Sequence, residues 1–125
     1  MNIPSDLRYT SEHEWVSLEG KLATVGITDY AQGELGDIVF VELPNVGDEV
    51  KAGSAFGTIE AVKAVSELFA PVGGKIVEIN EELQDNPTVV NSDPYGDGWM
   101  IKIEVKDPGE FDKLLPASEY QKLTE

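Results

Sequence analysis

Apolar residues recur along this chain in short runs, many alternating with polar ones, and Gly, Pro, Asn or Asp separates one run from the next. Runs of about five to six residues with a period of two are the signature of β-strands. Glu14-Trp15-Val16-Ser17-Leu18 and Lys21-Leu22-Ala23-Thr24-Val25 face each other across Glu19-Gly20, which predicts a hairpin with its tight turn at those two residues. Asp37-Ile38-Val39-Phe40-Val41-Glu42 predicts a strand ended by Pro44 and a turn over Asn45 to Asp48. Ala55 to Val62 and Ala64 to Phe69 predict a second hairpin with Lys63 near its tip, and Pro71 ends its pairing. Gly74-Lys75-Ile76-Val77-Glu78-Ile79 echoes Gly36-Asp37-Ile38-Val39-Phe40-Val41 at an offset of 74 − 36 = 38 residues, which suggests two related halves on either side of Lys63. Trp99 to Val105 is the last strand.

Helical signals are few. Thr28 is placed to cap Asp29 to Leu35, with Gly36 as the stop; Gly33 costs that helix about 1 kcal/mol relative to alanine, so packing must hold it. Ser118-Glu119-Tyr120-Gln121 has the capping-box spacing and predicts a C-terminal helix. No linker divides the chain, so residues 1–125 are expected to form a single, mostly β domain with a few short helices.

Composition narrows the function classes. A chain of 125 residues is too short for two independent enzyme domains. Nine Lys and Arg against 24 Asp and Glu give a net charge of −15, a field that repels a phosphate backbone or an anionic bilayer, so neither nucleic acid nor membrane is expected as a partner. At 41% hydrophobic residues the chain is too apolar for an acidic disordered tail, and no run is long enough to cross a bilayer. The absence of Cys excludes disulfides, thiolate metal sites and a cysteine nucleophile, and it fits a reducing compartment. Met1 to Asp6 lacks the basic and apolar regions of a signal peptide, so a cytoplasmic location is expected.

Catalytic apparatus is hard to find. His13 is the only imidazole, set between Glu12 and Glu14 and before Trp15, and it is expected to pack or hydrogen-bond structurally instead of catalysing. Asn91 to Gly96 has the Gly of a calcium loop at its sixth position, but Tyr95 stands at the fifth and Lys102 at the twelfth, where a bidentate Glu is needed; a Pro- and Gly-rich turn accounts for it. Gly96-Asp97-Gly98 lacks the third Gly and the helix of a dinucleotide fingerprint. Attention therefore passes to Lys63, flanked by Val62 and Ala64 with Glu60 and Glu67 beyond. By position alone it is either a solvated turn lysine or a presented amine.

The surrounding residues decide between these. Gly57-Thr58-Ile59-Glu60-Ala61-Val62-Lys63-Ala64-Val65-Ser66-Glu67-Leu68-Phe69-Ala70-Pro71-Val72-Gly73-Gly74 resembles the lipoyl-lysine hairpin of the glycine cleavage system H proteins. Three further blocks resemble that family in the same order: His13 to Val16, Val25 to Gln32 continuing through Leu35 to Pro44, and Pro94 to Ile103. Ala61 stands where a Ser is usual, and Gly73-Gly74 where Ser-Gly is usual; neither touches the lysine.

The resemblance implies a lipoyl/biotinyl-type barrel-sandwich hybrid and a monomeric, non-catalytic carrier with lipoic acid in amide linkage to Lys63. It also implies the partners: a pyridoxal-phosphate glycine decarboxylase (P protein) that loads an aminomethyl group, a tetrahydrofolate-dependent aminomethyltransferase (T protein) that unloads it, and a dihydrolipoyl dehydrogenase (L protein) that reoxidises the dithiol. A lipoate ligase or lipoyl/octanoyl transferase would install the arm, and Glu60 is the candidate mark for its recognition. The loaded arm is expected to fold back into a cleft walled by His13-Glu14-Trp15, with the Glu14 carboxylate pairing the ammonium, Trp15 excluding water, and Glu12 and Glu34 either adding negative charge or facing solvent. Other readings are a lipoyl or biotinyl domain of a different multienzyme complex, a donor in lipoate relay, or a small acidic enzyme using Glu12, Glu14 and Glu34. Val62-Lys63-Ala64 does not resemble the Met-Lys-Met of biotin acceptors.

Overall fold

The structure is a computed structural model that describes residues 2–124. Ten strands and five short helices follow one another as β1 (Arg8–Tyr9), β2 (Glu14–Glu19), β3 (Leu22–Ile27), α1 (Asp29–Leu35), β4 (Ile38–Glu42), β5 (Glu49–Val50), β6 (Ala55–Ala61), β7 (Val65–Phe69), β8 (Gly74–Ile79), α2 (Glu82–Asp85), α3 (Val89–Ser92), β9 (Ile101–Val105), α4 (Gly109–Asp112), β10 (Leu115–Pro116) and α5 (Ala117–Thr124). The strands form two antiparallel sheets, one ordered β10-β1-β2-β3-β9-β8-β5 and the other β4-β6-β7. The mostly β architecture with a C-terminal helix is the one expected.

Alternation along the strands builds the core. Val16, Val25, Ile76, Ile101 and Ile103 from the larger sheet pack against Ile38, Val41, Ile59 and Leu68 from the smaller one, all nearly inaccessible to water. Burying one such side chain is worth about 1.5–3 kcal/mol, so the meeting of the two sheets dominates the stability. A second, aromatic cluster of Tyr9, Trp15 and Tyr120 fixes α5 against β1 and β2, with the Tyr9 and Tyr120 rings stacked at 4.6 Å.

Local signals have uneven outcomes. Thr28 caps α1 by accepting from Ala31 N at 3.1 Å, and Gly36 ends the helix with φ 82°, a conformation that a side chain makes costly. The first hairpin turns at Gly20-Lys21, one residue later than expected, because the left-handed position (φ 61°) falls on Gly20. The capping box at Ser118 is not used: α5 already begins at Ala117. The two echoing segments lie in different sheets, Ile38–Glu42 in the smaller and Gly74–Ile79 in the larger.

Candidate functional site

The β6–β7 hairpin presents Lys63. Val62 and Lys63 form its tip, closed by a hydrogen bond from Ala61 N to Ala64 O at 2.7 Å. Val62 N also donates to Asp37 O at 3.1 Å, tying the tip to the residue before β4. Among the described residues His13 alone combines a side chain with positive φ, so the tip needs no Asn-Gly pair and tolerates Val, Lys and Ala. Lys63 is exposed and enters no ion pair among the described residues. Its stem lies over Gly36, where an added Cβ would stand 3.5 Å from Cε. The result is a free primary amine on a tethered, rigid mount, which is what amide attachment of a carboxylic acid requires.

A cleft of about 300 Å³ opens beside this hairpin, lined by Glu12, His13, Tyr30, Ala31, Glu34, Leu35 and Ser66. Ser66 is three residues beyond Lys63 on β7, and Leu35 immediately precedes the Gly36 under the lysine stem, so the cleft begins at the foot of Lys63. Its walls come from three places: the β1–β2 turn, α1 and β7. His13 Nδ1 and the Tyr120 hydroxyl are hydrogen-bonded at 2.8 Å, and that hydroxyl is 2.7 Å from Thr28 Oγ1. One phenol therefore joins the β1–β2 turn to the cap of α1. Burial pushes the Tyr120 phenol up to about 12, so it keeps its proton as a donor. Burial also lowers the His13 imidazole against the opposing pull of Glu12 and Glu34, leaving it neutral near pH 7. These contacts give His13 the structural role weighed for it in the sequence.

Not every expected residue reaches the cleft. Glu14 is 2% exposed, with Oε1 accepting from Thr10 Oγ1 at 2.6 Å and Oε2 from Phe69 N at 3.3 Å. It bridges the larger sheet to β7 and does not line the cleft surface. Burial raises its carboxyl to about 7, although the bonds from Thr10 and Phe69 favour the charged form. Trp15 is turned away as well: its ring covers Gly26, and Nε1 donates to Pro94 O at 2.9 Å. The expectation that Trp15 shields the cleft is thus corrected, and Tyr30, Ala31 and Leu35 supply the apolar wall. Glu12 and Glu34 are exposed and also line the cleft, the two readings weighed for them being compatible. Glu60 is exposed on the outward face of β6. Tyr30, Ser66 and Tyr120 were not singled out in the sequence; only the Tyr120 spacing in α5 marked that residue, and for a different reason.

The Asn91 to Gly96 stretch is committed to structure. Asn91 Oδ1 accepts from Ile38 N at 2.9 Å and its amide donates to Gly36 O at 2.8 Å, bracing the strand entry beneath Lys63. Among the described residues no group of three or more His, Cys, Asp or Glu is arranged to hold a metal, and no helix is long and apolar enough to cross a membrane.

Comparison with known proteins agrees with this geometry. Residues 7–125 match the family model described as glycine cleavage H-protein. The chain is 58% identical over 123 residues to the glycine cleavage system H protein of Staphylococcus haemolyticus, covering 98% of each chain. It is 56% identical over 123 residues to that of Carboxydothermus hydrogenoformans, covering 98% of this chain and 95% of the relative. The crystal structure of a glycine cleavage system H protein from Mycobacterium marinum superposes with a TM-score of 0.89 at 43% identity, covering 96% of this chain and 97% of that one. On these matches over nearly its whole length, the chain belongs to the glycine cleavage H-protein family.

Proposed function

We propose that this chain is the lipoyl-bearing carrier of a glycine cleavage system. It presents an arm on Lys63 in turn to glycine decarboxylase, the tetrahydrofolate-dependent aminomethyltransferase and dihydrolipoyl dehydrogenase, and catalyses none of their steps itself. The observation that carries the reading is the exposed Lys63 amine at a braced hairpin tip, on the hairpin whose Ser66 lines a cleft that Glu12 and Glu34 also line. Lipoic acid fits that amine as an amide and would supply a strained disulfide able to open and take up the aminomethyl group. The absence of Cys keeps competing thiols away from such a disulfide, and the carrier works as a monomer in the reducing cytoplasm.

The chain's own residues serve the loaded state. Glu12 and Glu34 offer negative charge to an ammonium in the cleft, an attraction of order 1–4 kcal/mol at about 4 Å. Glu14 sits behind the cleft surface, where its bond from Phe69 N holds β7 in place. Tyr30, Ala31 and Leu35 exclude water on the helix side, and neutral His13 keeps positive charge out. Glu60, three residues before the target, marks the hairpin for the ligase or transferase that installs the arm.

Lys63→Arg tests this assignment. Arg keeps the positive charge and the exposure, so folding is preserved, but a guanidinium cannot take the amide. The variant should show parent-like thermal unfolding and no turnover in a glycine-cleavage assay reconstituted with the other three proteins. Turnover at the parent rate would remove Lys63 from the mechanism.

A further inference from the structure

The outward face of the β4-β6-β7 sheet is unusual for a surface so acidic. Register places Phe40 opposite Glu60 and Glu60 opposite Val65, so the three side chains form one row across the sheet on the solvent side. Phe40 is 44% exposed and Val65 67%. The next outward row is Glu42, Thr58 and Glu67. Between them lies the buried row of Val41 and Ile59, as the pleat demands.

A break in register between Ile38 and Phe40 leaves Val39 without a partner, and Val39 and Phe40 are both exposed. Val62, beside Lys63, is 76% exposed. Four of the eight large hydrophobic residues described as exposed, Val39, Phe40, Val62 and Val65, thus gather at the end of the sheet that carries the lysine. Scattered surface apolar residues need no explanation, but a cluster rimmed by charge marks an interaction site.

We propose that this face is the docking surface for the enzyme that joins the lipoyl group to Lys63, and that the enzyme meets it with a basic side chain aimed at Glu60 between apolar seats for Phe40 and Val65. The inference rests on the carrier reading. Enzymes acting on the finished arm need only reach its distal sulfurs. The attaching enzyme must instead bring the Lys63 nitrogen to within about 3–3.5 Å of the activated carboxyl carbon, so its body has to cover the residues around the hairpin tip. Charge gives the partner's sign: every ionisable group in the two outward rows, Glu42, Glu60 and Glu67, is acidic, on a chain of net charge −15. An arginine suits the row best, since its fork takes the Glu60 carboxylate while its plane lies on the Phe40 ring. Glu60 then acts as the centre of an amphipathic patch and not as a lone mark.

The test uses the unmodified full chain with a lipoate ligase, lipoic acid and ATP. The Lys63 amine displaces AMP from the lipoyl adenylate, and the nitrogen loses a proton as the amide forms. Initial rates are read against carrier concentration. Phe40→Ser, Val65→Ser and Glu60→Ala should each raise KM about tenfold, as loss of a contact residue at an interface does, with kcat changed by less than about twofold. Phe40→Tyr, which keeps the ring, should recover most of the affinity. Val46→Ser, a control at a residue 59% exposed in the turn after Pro44, should leave KM within about twofold of the parent. Thermal unfolding of each variant is measured alongside, and exposed positions predict little change. If the parent is modified at Lys63 and the three variants keep its KM, the docking surface is refuted and the carrier reading stands. If the parent is not modified at all, both fall.

Discussion

At the scale of single residues, position in three dimensions reassigns what adjacency in sequence had grouped together. His13, Glu14 and Trp15 are consecutive, yet His13 lines the cleft, Glu14 bridges two sheets beneath it and Trp15 covers Gly26 on another side. Glu14 and Trp15 open β2 and alternate to its opposite faces, while His13 precedes the strand with φ 71°, so adjacency in sequence does not bring the three to one wall. Glu14 has a measurable consequence. Its carboxyl rises from 4.5 to about 7 on folding, so the folded protein holds a proton there that the unfolded chain has lost between those pH values. Stability from this group is therefore full below about pH 4.5 and falls as pH rises towards 7, by up to about 3 kcal/mol. Glu14→Gln removes the titration. Denaturant unfolding of parent and variant at pH 4.5 and pH 8 should show the variant gaining on the parent by about that amount; parallel pH profiles would contradict the buried, raised carboxyl.

At the scale of elements, the cleft depends on a helix that does not enter it. Tyr120 on α5 reaches His13 and Thr28 with one hydroxyl, setting the β1–β2 turn against the start of α1. Tyr120→Phe keeps the stacking on Tyr9 and loses both bonds, which should cost about 1–3 kcal/mol. Amide exchange should then quicken in the β1–β2 turn and the first turn of α1, ahead of the distant β8 and β9; unchanged protection in both segments would show that the phenol is not the link. Elements governed by nearby chemistry were legible in the sequence. Thr28 and Gly36 bound α1 because a cap and a left-handed stop are properties of a few adjacent residues, and the Lys63 hairpin followed from two alternating runs that meet at the lysine. What failed depended on distance. Ser118 has the capping spacing, but β10 runs directly into α5 and the helix is already under way at Ala117. The partition of the echoing segments between two sheets and the extra residue at Val39 are matters of pairing, and no local pattern encodes them.

At the scale of the whole molecule, two sheets close on one core and leave the hairpin tip, its cleft and its acidic face at the surface, which is the form a carrier needs if several enzymes are to reach one tethered arm. Net charge acts at this scale too. The chain carries −15, and amide formation on Lys63 removes one positive charge to give −16. Such a field steers encounters over about 8 Å at physiological salt, so second-order rates with the partner enzymes should fall as salt rises. Rates indifferent to salt with every partner would refute steering while leaving the carrier role intact. The central claim is that Lys63 bears the arm, one lysine among eight. Intact-mass measurement of protein purified from its native source, followed by peptide mapping, tests it most directly. The account predicts a lipoyl adduct on the peptide containing Lys63 and on no other lysine. A chain carrying no adduct, or carrying it on a different lysine, would contradict the account.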